Sequence, residues 1–154
     1  IASPALSPGG GDLAYLAVEA GSGAASAVML RSLRLDETTS LPAPEGQAVY
    51  GVRWHPDGER LLLDVVGGEP GDQRWALVRA GSGDPWLLSA PGPGRERLFD
   101  YEAYGEGVVY TLLPENGEWA LYLLPDLAGS APPREVGLET IAQEFGAPVI
   151  IRLP

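Results

Sequence analysis

Cysteine is absent from this 154-residue chain, and so is lysine. Without a thiol there is no disulfide framework, no thiolate nucleophile and no Cys-ligated metal site. Without Lys the signature of a Walker-type phosphate loop cannot be met. His55 is the only histidine, which excludes a His-based triad or a multi-His metal site within the chain. Long hydrophobic runs are missing too. Val149-Ile150-Ile151 falls far short of the ~18–20 apolar residues that span a bilayer, so no membrane insertion is expected. Positive charge is scarce, with 10 basic against 21 acidic residues and a net charge of −11. An acidic surface repels phosphate backbones and anionic lipid heads, which argues against nucleic acid as a partner. The lack of cysteine leaves the compartment open between a bacterial periplasm (or other extracytoplasmic space) and the cytoplasm.

What is present reads as an ordinary globular composition. Hydrophobic residues are 45% and charged residues 20%, which rules out a disordered chain. Gly (21) and Pro (15) are abundant and fall between apolar runs without a collagen-like period, so they punctuate many short strands. Abundant Ala, Gly, Pro and Arg point to a GC-rich, bacterial coding source. The start at Ile1, with no signal-peptide pattern, suggests a processed product or a piece of something longer.

The organising stretch is Trp54-His55-Pro56-Asp57-Gly58-Glu59-Arg60-Leu61-Leu62-Leu63, a strand end, a tight turn and the start of a second strand. Pro56 presets φ at the second turn position, and Asp57 and Gly58 supply the freedom to reverse. Degraded copies stand at Leu6-Ser7-Pro8-Gly9-Gly10-Gly11-Asp12-Leu13 and at Tyr101-Glu102-Ala103-Tyr104-Gly105-Glu106-Gly107-Val108. Repetition at ~40–50 residues marks stacked supersecondary units, of which propellers are the all-β case. The fold expected is all-β: three four-stranded propeller-type blades in a single domain. They cover roughly 1–47, 48–94 and 95–140, with a terminal strand at 148–153. Trp75-Ala76-Leu77 and Trp119-Ala120-Leu121 are near copies in the third strands, and Asn116-Gly117 is a hairpin signal. Leu138, Ile141, Ala142 and Phe145 recur at helical spacing before Gly146, so a short helix is expected near the C-terminus.

These units resemble the repeats of TolB-type β-propellers, whose blades carry an inner strand, a Ser-Pro-Asp-Gly turn and a second strand opening on an apolar pair. The match is fullest at Trp54–Leu61 and weaker at Leu6–Gly10, while the third copy keeps only Gly105 and the strand. The resemblance implies a non-catalytic scaffold for protein–protein interaction. The alternative it implies is the gating propeller of a larger prolyl-oligopeptidase-like hydrolase whose catalytic domain lies outside this chain.

Four residues are the candidate binding positions: Tyr101 and Tyr104 on an exposed face near the third turn, Arg53, and His55. Aligning Trp54 with Tyr101 puts Arg53 opposite Asp100 on adjacent inner strands, so an Arg53–Asp100 contact is expected between blades. His55 is expected to cap its turn through the backbone, and Ser7 to do the same in the first copy. Trp54, Trp75 and Trp119 fall in strand slots and read as packing. No residue pattern calls for a cofactor, a metal or a catalytic role. Three blades cannot close a ring. The chain is therefore expected to be a homodimer or part of a larger propeller, burying the outer faces of blades one and three, with a protein partner.

Overall fold

The computed structural model describes residues 2–18, 24–69, 71–82, 87–89, 91–94, 97–113, 117–129 and 131–137. These residues form three four-stranded antiparallel sheets and no α-helix. The first sheet holds β1 (Ala2–Leu6), β2 (Asp12–Leu16), β3 (Ala27–Ser32) and β4 (Glu37–Pro42). The second holds β5 (Ala48–Trp54), β6 (Arg60–Val66), β7 (Gln73–Arg79) and β8 (Leu87–Leu88). The third holds β9 (Leu98–Tyr104), β10 (Gly107–Leu112), β11 (Ala120–Leu124) and β12 (Arg134–Glu135). In every sheet the strands neighbour one another in chain order, as in a propeller blade, and no barrel closes. The expected helix beyond Gly137, the strand at 148–153 and Asn116 lie outside the described residues.

Local pattern explains the position of each strand. Glu37–Pro42 reads ETTSLP and is exposed apart from Leu41, as suits an outer edge strand. Arg60–Val66 reads RLLLDVV, a nearly continuous apolar run, and it is covered on both faces. Leu61 and Leu63 pack with Leu16, Val28 and Leu30 of the first sheet. Leu62 turns the other way, joining Trp75, Tyr110 and Leu124 between sheets two and three. All three leucines have no exposed surface, and burial of each contributes about 1.5–3 kcal/mol. The second sheet is thus the middle layer, and β5 touches both β1 and β9.

Two expectations about the third sheet need correction. Its first strand does not turn at Tyr101 but runs on to Tyr104, and the reversal is only Gly105-Glu106. The register partner of Trp54 is therefore Ala103, because Ala103 pairs with Val108 as Trp54 pairs with Leu61. Trp119 precedes β11 and is 41% exposed, so it is not core packing. Val109, Leu121, Leu123 and Val136 form a buried cluster of the third sheet, with Tyr104 packed against it.

Candidate functional site

The Pro56-Asp57-Gly58 turn is built as its residues require. Gly58 N–H donates to His55 O at 3.0 Å, and His55 N–H donates to Arg60 O at 2.9 Å. Gly58 has φ +73°, a conformation that glycine alone adopts freely. Asp57 Oδ1 accepts from the N–H groups of Glu59 (2.8 Å) and Arg60 (3.0 Å). Partial burial would raise the Asp57 carboxyl. The Glu59 N–H, the Arg60 guanidinium and N–H, and His55 outweigh that and hold it well below the usual carboxylate range. Ser7 repeats the geometry: Gly10 N–H donates to Ser7 O, and Ser7 Oγ accepts from Asp12 N–H at 3.0 Å. Gly10 has φ +69° in the position of Gly58.

From this turn and the strand before it, side chains reach both neighbouring sheets. Trp54 Nε1–H donates to Ala5 O in the first sheet at 2.9 Å. His55 is 7% exposed and caps the turn as expected, with Nδ1 3.1 Å from Asp57 N. Its Nε2 lies 2.8 Å from Gly105 O, on the turn of the third sheet. Arg60 donates through Nε to Asp57 Oδ2 at 2.6 Å and through Nη1 to both Glu106 carboxylate oxygens at 2.8 Å. Arg53 Nη2 donates to Asp100 Oδ1 at 3.1 Å, and Arg53 Nε is 3.5 Å from Glu102 Oε1. The Arg53 guanidinium also sits 5.1 Å from the centre of the Tyr101 ring, within cation–π range. The expected Arg53–Asp100 contact between blades is present.

Arg53, His55 and Tyr101 are thus gathered into one joint between sheets two and three. Tyr101 is buried, not part of an exposed face as its sequence position suggested. Its hydroxyl approaches Gly51 so closely that a Cβ there would collide with it, which explains a glycine in the middle of β5. Tyr104 is half-buried and packs on the Val109 and Leu121 cluster. Beside this joint a polar cavity of about 140 Å³ is lined by Ser3, Arg53, Asp64 and Asp100, with Phe99 at its edge. A larger cleft of about 470 Å³, lined by Trp75, Tyr110, Leu127, Pro91, Pro93 and Pro132, lies between sheets two and three.

Among the described residues, the exposed aromatic pair lies elsewhere, at the end of the third sheet. Phe99 and Trp119 meet edge to face at 5.1 Å, and they are 44% and 41% exposed. Leu113, exposed beside them, is held by paired backbone and side-chain bonds with Arg97. A bulge between Leu98 and Asp100 leaves Phe99 without a register partner on β10. No residue pattern announces that bulge. Trp119 could have been recognised, because it follows the turn glycine Gly117 too closely to lie within the strand.

No family model matches this sequence, and no curated protein matches it either. Among solved structures, the chain is similar to a chain in the crystal structure of a mitotic checkpoint complex, with a TM-score of 0.53. The two are 13% identical, and the match covers 79% of this chain and 32% of that one. The protein described here thus matches about a third of the length of a propeller-like neighbour, and at that identity the likeness concerns the fold.

Proposed function

We propose that this chain is a non-catalytic scaffold of the TolB-like propeller type that binds another protein. The supporting observation is the Phe99–Trp119 pair, two large aromatic side chains in contact and open to solvent at the end of the third sheet. Exposed Trp and aromatic anchors with an aliphatic neighbour such as Leu113 are what protein hot spots are built from. The net charge of −11 gives the partner its second property. A basic rim around an apolar centre would be steered to this surface, and association would slow as salt rises. The propeller-like neighbour, itself part of a protein complex, supports a scaffold reading in the same sense.

The experiment is native capture from the source cells with cross-linking, comparing wild type with a Phe99→Ser/Trp119→Ser variant of unchanged thermal midpoint. The reading expects one partner set to be lost from the variant and recovered by Trp119→Phe alone. An unchanged partner set, or turnover of generic peptide or ester substrates by the chain itself, would refute it.

A further inference from the structure

Trp75 stands in the middle of β7 with its ring 4.7 Å from that of Tyr110, and it is 1% exposed. Its Nε1–H has no acceptor. A buried indole N–H ordinarily finds one, and leaving it unmet is costly. Trp54 shows the ordinary case, donating to Ala5 O at 2.9 Å. Gln73, two residues before Trp75 and on the same side of the strand, holds a second such atom. Its Nε2 donates to Asp64 Oδ1 at 3.2 Å, which commits that end of the amide, and Oε1 is left without a donor. Trp75 lines the cleft of about 470 Å³ between sheets two and three. Gly92 lines it too, and Gln73 Oε1 is pressed so closely against Gly92 that a Cβ there would collide with it.

Cavities of this size, with mostly apolar walls and a few fixed polar groups, are what small molecules bind. Here the walls are Tyr110, Leu124 and Leu127, with the more exposed Pro93 and Pro132. Among the described residues lining the cleft, Asp126 carries the one charge. We infer that this cleft binds a small, flat, uncharged molecule with a carbonyl beside an N–H, the pattern of a cyclic amide. The carbonyl accepts from Trp75 Nε1, the N–H donates to Gln73 Oε1, and the ring packs among Tyr110 and the prolines. An anion would meet Asp126 and no cation. An ammonium ion would satisfy Asp126 and leave the Trp75 N–H without an acceptor. A hydrocarbon would leave both atoms of β7 unmet, so the site discriminates against it. The inference does not rest on the scaffold reading.

The probe is 2-quinolone, a bicyclic cyclic amide, added to ¹⁵N-labelled protein whose indole N–H signals are assigned. The Trp75 signal is expected to move downfield and saturate as Nε1–H gains an acceptor. That of Trp54, already bonded to Ala5, is expected to stay in place. N-methyl-2-quinolone, which lacks the donor, is expected to bind at least about tenfold more weakly, and naphthalene, which lacks both groups, more weakly still. Ala131→Trp, which fills the cleft from its half-buried wall, is expected to abolish the shift with an unchanged unfolding midpoint. Should that variant fail to fold, the probe series on wild type decides alone. A Trp75 signal unmoved by millimolar 2-quinolone would overturn the inference and leave the two atoms to water. So would equal affinity for naphthalene, or a shift that persists in folded Ala131→Trp.

Discussion

Arg53 Nη2 lies 3.1 Å from Asp100 Oδ1, joining the first strands of the second and third sheets. The Asp100 side chain is 9% exposed and its Oδ1 also accepts the Tyr101 N–H at 3.0 Å, so removal of the guanidinium strands a carboxylate in a nearly closed site. Arg53→Met is expected to cost about 1–3 kcal/mol in denaturant unfolding. Asp100→Asn alone is expected to cost less, and the pair to be coupled by at least about 0.5 kcal/mol in a double-mutant cycle. Strictly additive losses would mean that the two charges do not act on each other.

Glu102 makes the same joint sensitive to pH. Burial pushes its carboxyl up from 4.5 to about 7; Arg53 opposes the rise and Asp100 adds to it. A folded-state value above the unfolded one gives stability that is fully present below pH 4.5 and is lost as pH rises through about 7. Asp57 works in the opposite sense, its contribution being present above 3.8 and lost as pH falls. Stability should therefore peak near about pH 5, and fall toward pH 8 by on the order of 1–2 kcal/mol, allowing for the partial exposure of Glu102. Glu102→Gln should flatten the decline between pH 5 and about 8. A wild-type curve that rises over that range would contradict the assignment.

Gly58 tests the turn. Nothing but Pro8 Cδ, at 3.9 Å, would meet a side chain there, so the cost of substitution comes from φ +73° and not from crowding. Gly58→Val should lower stability by about 1–3 kcal/mol, with Gly58→Asn intermediate because Asn tolerates positive φ better. An unchanged unfolding midpoint for Gly58→Val would mean the backbone relaxes at no cost.

Much of this architecture was legible in the sequence. The Pro56-Asp57-Gly58 turn and its copy at Pro8-Gly9-Gly10 are dictated by local chemistry, and strand periodicity set the four-strand repeat of each sheet. The roles of His55 and Ser7 as turn caps follow from their donors and acceptors within five residues. Less visible was anything fixed by register between distant strands. A two-residue turn at Gly105-Glu106 replaces the longer turn of the other blades, so the third copy aligned two residues out of place. Tyr101 consequently looked exposed but is packed under Arg53, while the bulge at Phe99 turned a strand residue into part of an open aromatic pair. Propensity says which residues suit a strand, but neighbouring sheets decide which of them are covered.

The segment from Arg53 to Arg60 is the joint around which the three sheets are held as one stack. Hydrogen exchange of wild type and a His55→Ala/Arg60→Ala variant, resolved to peptides, tests it most directly. Loss of the bonds to Gly105 and Glu106 is expected to speed exchange in β6 and in β9 and β10 together, because the two sheets then open as one unit. Faster exchange confined to residues 55–60, with β9 and β10 as protected as before, would contradict it.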